Sequence, residues 1–264
     1  MDSFKRKVYK KMLSYGLDPI KFINKLKYSN IEWFEKDFEI LKKQKGNDHT
    51  FKIGKINPVL NERNEEGGTM NGHYFHQDLY VARLIFLANP RKHLDIGSRT
   101  DGFVAHVASF REIELIDIRN IESNVTNIVF RKANLIELPT DLIDYCDSIS
   151  SLHAIEHFGL GRYGDPIDYF GYLKAINNIT KILNSNGIFY FSVPIGEQRI
   201  EFNSHRVFSI KYLIDLFSDN FTIKSFSYVN DNGDFFENSE LSDQNIKLNF
   251  NCEYGCGIFV LVKK

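Results

Sequence analysis

A chain of 264 residues, 43% hydrophobic and 25% charged, is long enough to bury a substantial core as one domain with an appendage. It holds no apolar run long enough to span a bilayer, and MDSFKRKVYKKML lacks the uninterrupted apolar segment of a secretory signal, so a cytoplasmic location is expected. The net charge of −1 excludes bulk electrostatic attraction to nucleic acid, and the three cysteines, Cys146, Cys252 and Cys256, fit neither a zinc knuckle nor a redox CxxC.

The first 45 residues read as short helices, with Phe4, Val8 and Met12 on one stripe and Ile31, Phe34, Phe38 and Leu41 on another; Asp18-Pro19 marks a helix start between them. Residues 1–55 carry 14 Lys and Arg against 7 Asp and Glu, a basic bias that reads as a solvated helix face. From Gly46 to Gly72 the periodicity dissolves into a linker, which places a boundary near residue 70: an appendage over 1–70 and a second domain over 71–264. Leu79, Ala82, Leu84, Ile85 and Leu87 then predict a helix leading into the first strand. Buried strands alternate with helices from there on: EIELIDI (112–118), NIVFRKAN (127–134), DSISSLHA (147–154), a helix across Tyr169–Leu183, GIFYFSV (187–193), a helix over Ser209–Phe217, FTIKSFSYV (221–229) and GIFVLVKK (257–264). Such alternation predicts an α/β fold with a mostly parallel sheet of six or seven strands and helices on both faces. The polar stretch Asn230–Cys252 is expected to be an irregular insertion.

HLDIGSRTDGF, from His93 to Phe103, is a strand, an acid, a tight glycine and a helix start, the pattern of a nucleotide-cofactor loop at the carboxyl end of a strand. Phe103 and Val104 follow Gly102 where a P-loop needs Lys and Ser or Thr. Arg99 stands where a dinucleotide fingerprint needs its second glycine. None of the 13 tyrosines precedes a lysine by four residues, which removes the proton-transfer pair of short-chain dehydrogenases.

With DIGS after the first strand, Asp117 ending the second, Ala133-Asn134-Leu135 after the third and LHAIEH after the fourth, the chain resembles class I S-adenosylmethionine-dependent methyltransferases. HYFHQDLYVAR, LDIGSRTDGF, HAIEHFGLGRYGDPID and FNSHRVFS resemble, more narrowly, a bacterial family labelled a domain of unknown function and associated with surface-glycan genes. The resemblance runs from about Gly72 to the end. It implies a Rossmann-like sheet, mostly parallel with the last strand antiparallel, behind an N-terminal helical appendage. It also implies S-adenosylmethionine as cofactor: Asp117 and Ile118 at the ribose, Asn134 and Leu135 at the adenine, Asp95, Gly97 and Ser98 shaping the loop, and Arg99 with Gln77 at the cofactor's carboxylate. His153 would line the same pocket.

His153, Glu156, His157 and His205 are expected to converge over the transferred methyl, with His157 or His205 as general base and Glu156 orienting a histidine or binding an acceptor hydroxyl. The same four side chains resemble the Glu-x-x-Glu-His plus His set that holds a divalent metal in some methyltransferases, with His153 replacing the first Glu. Arg162, Tyr163 and Asp165 in GLGRYGDPID, with Arg199 and Arg206, are expected to hold the substrate. The acceptor implied is a nucleotide-activated sugar methylated on oxygen for a surface polysaccharide, by a protein that self-associates. The other readings are N- or carboxyl-methylation of a small metabolite, and a noncatalytic scaffold for a glycan enzyme.

Overall fold

The computed structural model describes residues 32–264 except 61, 123 and 139. The chain divides into two compact units, Met1–Thr69 and Met70–Lys264. In the first, helix α1 (Glu32–Lys45) begins with Glu32 and Glu35 and ends with Lys42, Lys43 and Lys45, charges that oppose its macrodipole. Of its expected apolar stripe, Phe34 and Phe38 are half-buried and Leu41 is exposed. The stripe at Phe4, Val8 and Met12, the Asp18-Pro19 boundary and Ile31 lie outside the described residues. Residues 46–72 form no helix or strand where described.

The second unit opens with α2 (His73–Ala88) and β1 (His93–Ile96), followed by a π-helical turn (Thr100–Val104), the single turn α3 (Ala105–Ala108), β2 (Ile113–Asp117) and β3 (Ile128–Lys132). Next come β4 (Cys146–Leu152), a 3-10 turn (Ile155–His157), α4 (Gly171–Ile182) and β5 (Leu183–Ile195). A hairpin of β6 (Arg199–Glu201) and β7 (His205–Val207) leads to α5 (Ile210–Phe217) and β8 (Phe221–Val229). The insertion is not wholly irregular: it holds β9 (Phe235–Phe236) and α6 (Asp243–Lys247) before β10 (Gly255–Lys263).

One sheet of eight strands runs in the order β3-β2-β1-β4-β5-β10-β8-β9. β1 to β5 are mutually parallel, and β10 enters antiparallel between β5 and β8, with Ile258 opposite Ser192 on one side and Ser227 on the other. Strand order therefore reverses at β1, whose neighbours are β2 and β4, and this is where an open α/β sheet leaves a crevice beyond its carboxyl ends.

Alternation along the strands splits the core into two layers. Leu94, Ile96, Ile116, Ile149, Phe189, Phe191 and Phe259 pack with α4 and α5, whereas Ile113, Leu115, Leu152, Tyr190, Ile258 and Val260 pack with α2 and α3. Ser209 caps α5 by accepting the Tyr212 N–H at 3.3 Å. Helix α2 forms where expected and its packed face overlaps the expected one: Ala82 and Ile85 are buried with Tyr80 and Val81 and Leu84 is half-buried, while Leu79 and Leu87 are 51% and 71% exposed. Its buried face also carries Gln77 and Asp78, polar residues that periodicity assigns to solvent.

Candidate functional site

The turn after β1 is organised from beneath. Asp95 is fully buried and accepts from the Ser98 N–H at 3.0 Å, the Ser98 hydroxyl at 2.7 Å and the Ser150 hydroxyl at 2.5 Å. Burial raises its pKa to about 6 despite these three donors. Ser98 Oγ in turn accepts the Leu152 N–H at 3.0 Å, which ties the β1 turn to the end of β4. Gly97 has φ +70°, and a Cβ there would sit 3.1 Å from Ala154 Cβ, so glycine is required. Asp95 and the Ser98 hydroxyl thus shape the loop and are not free to contact a ligand.

Over this turn lies a cleft with about 570 Å³ of empty space, lined by Gly97, Asp117, Ile118, Asn134, Leu135 and His153 among others. A second hollow of about 910 Å³ shares Gly97, Asp117, His153 and His157 with it and adds Tyr74, Arg99, Asp101 and Arg162. Sequence reasoning therefore identified most of the cleft. Asn134 spends its side-chain oxygen on the Ile136 N–H at 3.1 Å, which leaves its amide N–H groups available.

Asp117, 8% exposed at the tip of β2, is engaged by a residue the sequence reading missed. Arg119 donates its backbone N–H and Nε to Oδ1 at 2.8 and 3.0 Å, and Nη2 to Oδ2 at 2.7 Å. Its guanidinium also lies 4.3 Å from the centre of the Tyr163 ring. A cation two residues past a strand-end acid was the available signal. Arg99 lines the second hollow as expected, but its bidentate partner is Asp101, through Nε at 3.1 Å and Nη2 at 3.0 Å.

Several expected contacts do not reach the cleft. Gln77 is 1% exposed, donates to Asp78 at 3.1 Å and accepts from Ser192 at 2.6 Å. Arg206 is buried, donating to the carbonyls of Glu156, Phe158 and Tyr169 with its ring partner Tyr172 at 4.7 Å, so it pins the 156–169 segment instead of meeting substrate. Arg199 is held by Glu201 at 2.9 Å and by the carbonyls of Glu197 and Glu253. Asp165 lines the cleft, but its carboxylate accepts the N–H groups of Gly159, Gly161 and Tyr163 and so shapes the glycine loop. Arg162 and Tyr163 do stand at the cleft.

The histidines converge only in part. His157 lines both hollows; its Nδ1 donates to the Ser204 carbonyl at 2.6 Å, since a carbonyl only accepts, and this leaves the Nε2 lone pair free. Burial pushes its pKa below the ordinary 6.5. His153 also lines both hollows, and its Nδ1 donates to Glu156 Oε1 at 2.8 Å. Glu156 is 1% exposed beneath the two histidines and, although burial raises its pKa, the facing His153 more than offsets this and leaves it below the ordinary range. His205 lines neither hollow: it packs on Tyr254 with ring centres 5.0 Å apart, and its Nδ1 meets the Ser204 hydroxyl at 2.7 Å.

The expected metal set is not assembled. His157 Nε2 is 3.7 Å from Glu156 Oε1, and His205 is turned toward Glu201 at 3.5 Å. Among the described residues, the His, Cys, Asp and Glu group whose ligand atoms all lie within 4.8 Å of one another is His73, His153 and Cys256. No helix among the described residues is long and apolar enough to cross a membrane.

No curated protein matches the chain by sequence. Solved structures share its fold. A 1,6-didemethyltoxoflavin-N1-methyltransferase of Burkholderia thailandensis, with bound 1,6-didemethyltoxoflavin and S-adenosylhomocysteine, aligns with a TM-score of 0.50 at 14% identity over 71% of this chain and 78% of its own. The N-methyltransferase NodS of Bradyrhizobium japonicum WM9, in complex with S-adenosylhomocysteine, aligns with 0.48 at 12% identity over 73% and 88%. The α/β fold is thus that of Rossmann-like methyltransferases. One protein family matches residues 105–255, from α3 to the start of β10, and its description carries neither the bacterial source nor the surface-glycan association expected from sequence. Because that match spans more than half its length, the chain belongs to the family described as "Caenorhabditis protein of unknown function, DUF268".

Proposed function

We propose that the cleft binds S-adenosylmethionine and that the chain transfers its methyl group to a hydroxyl of a small polar acceptor. The observation that carries this is the pairing of a nearly buried acid with an apolar slot: Asp117 ends β2, Ile118 and Leu135 line the slot beside it, and Asn134 stands across. An acid there accepts the two ribose hydroxyls, the apolar side chains sandwich a purine, and the free Asn134 amide donates to a purine ring nitrogen. Gly97, which a Cβ would bring against Ala154, lets the chain pass close to the ligand.

The cofactor, when bound, supplies an electrophilic methyl on a sulfonium that leaves as a neutral thioether. His157 is the group that takes the acceptor's proton, because it lines the cleft and Ser204 holds Nδ1 protonated, which leaves Nε2 as its basic nitrogen. As the acceptor oxygen bonds to the methyl carbon and the carbon–sulfur bond breaks, the hydroxyl proton passes to Nε2. An activated sugar is the first acceptor to try: Arg119 and Arg162 supply positive charge at the rim for a diphosphate, the role that Arg199 and Arg206 do not fill.

Calorimetric titration with S-adenosylhomocysteine tests the reading. Saturable binding that Asp117→Ala loses supports it; no binding by folded wild-type protein ends it. That second result would favour the noncatalytic scaffold, a reading to which the bidentate engagement of Asp117 by Arg119 lends one specific observation.

A further inference from the structure

We propose that His73, His153 and Cys256 form a zinc site at the back of the cleft, independent of whether methyl transfer occurs there. The three come from the first turn of α2, the end of β4 and the start of β10. Their ligand atoms all lie within 4.8 Å of one another. Zinc bonds of about 2.0–2.1 Å to nitrogen and about 2.3 Å to sulfur set tetrahedral ligand atoms roughly 3.5 Å apart, so the triangle needs to close by little more than an ångström at most.

The second observation is the state of His153. Its side chain is 4% exposed and Nε2 has no hydrogen-bond partner, an arrangement that costs free energy unless something occupies that lone pair. The other nitrogen, Nδ1, donates to Glu156 Oε1 at 2.8 Å. A carboxylate that holds the far N–H of an imidazole fixes the tautomer which presents the opposite lone pair to a metal. Glu156, expected either to orient a histidine or to join a metal set, here orients one of the ligands. Cys256 is fully buried; its Sγ contacts Gln77 Oε1 at 3.6 Å and faces the His153 ring, the position from which a thiolate would bond a cation shared with that histidine. The His73 ring lies almost parallel to that of His153, tilted by 8° with centres 5.3 Å apart, so the half-buried His73 must turn its ring for its in-plane lone pair to meet the same ion.

Two nitrogens and a thiolate suit a borderline-soft cation, and three protein ligands leave one position for water or an acceptor atom, as in catalytic zinc sites. Because His153 also lines both hollows, the ion would stand beside the reacting region.

The test is titration of the chelator-stripped full chain with zinc chloride by calorimetry, with cobalt substitution read by absorption. One zinc per chain is expected, with affinity lowered at least tenfold in both Cys256→Ser and His73→Ala and unchanged in His205→Ala. The cobalt protein should show a sulfur-to-metal charge-transfer band that Cys256→Ser lacks. His73, half-buried, provides the informative variant if the buried cysteine change impairs folding. No stoichiometric zinc on folded wild-type protein overturns the proposal, as does binding retained by both variants or lost in His205→Ala.

Discussion

Arg119 occupies three of the four lone-pair positions that the Asp117 carboxylate offers, two on Oδ1 and one on Oδ2. A ribose diol needs two. Cofactor entry therefore requires at least one Arg119 contact to break, and the guanidinium acts as a competitor for the site. Its side chain is 52% exposed, so the ion pair is worth about 1 kcal/mol or less. Arg119→Ala should bind S-adenosylhomocysteine up to about fivefold more tightly than wild type. Asp117→Ala removes charge-assisted hydrogen bonds of about 2–3 kcal/mol and should bind roughly 30- to 150-fold more weakly. Calorimetry on both variants decides this, and weaker binding by Arg119→Ala would make the arginine a ligand contact.

As the proposed base, His157 should set the pH dependence of turnover. A base must be unprotonated to act, and burial holds the pKa of His157 below 6.5. Methyl transfer should therefore be at full rate near neutral pH and fall as pH drops through that lowered value. His157→Asn should lose about 10²- to 10⁴-fold in kcat and also lose the acid limb of the profile. A rate–pH curve that keeps that limb in the variant would assign the titration to another group.

Asp95 links stability to pH in the opposite sense to an ordinary paired carboxylate. Its pKa is about 6 in the folded chain and 3.8 when free, so the folded state keeps a proton that the unfolded state has lost. Its favourable contribution is full below pH 3.8 and disappears as pH rises through about 6, on the order of 3 kcal/mol in all. Asp95→Asn, which cannot titrate, should lose this component, seen as a smaller decline in denaturation midpoint between pH 4 and 6. The same substitution turns one acceptor into a donor facing the Ser98 and Ser150 hydroxyls and should cost about 1–3 kcal/mol at low pH.

Gly159 has φ +77°, and a Cβ there would overlap the backbone carbonyl of Asp168, an atom with no freedom to withdraw. Gly159→Ala should lower the melting temperature by several degrees, equivalent to about 2–4 kcal/mol, and weaken acceptor binding by displacing Tyr163 and Arg162. Gly164, with φ +81° but open space where a Cβ would go, should tolerate alanine better. Equal melting temperatures for the two variants would contradict the packing argument.

The sheet was readable because short segments of buried strand alternate with amphipathic helices, a signal that survives without tertiary information. The hairpin β6–β7 and the two-residue β9 were not, since strands of three and two residues carry no period. For the site, strand-end position located Asp117 and Gly97 but not what faces them. Arg206 reads in the sequence as a cation open to substrate, yet it is buried against three carbonyls 37 to 50 residues earlier in the chain. His73 and Cys256 are 183 positions apart, and only the closed sheet brings them to His153.

The position of β10 has a consequence for synthesis on the ribosome. It is the last of the ten strands to emerge, yet it sits inside the sheet, bonded to β5 and β8 at once. Until it arrives, two strands carrying Phe189, Phe191 and Phe226 have no partner on that side, and their unpaired backbone is open to other nascent chains. β1 to β5 are complete long before, so the facing edges of β5 and β8 stay unpaired from the appearance of β8 until that of Gly255–Lys263.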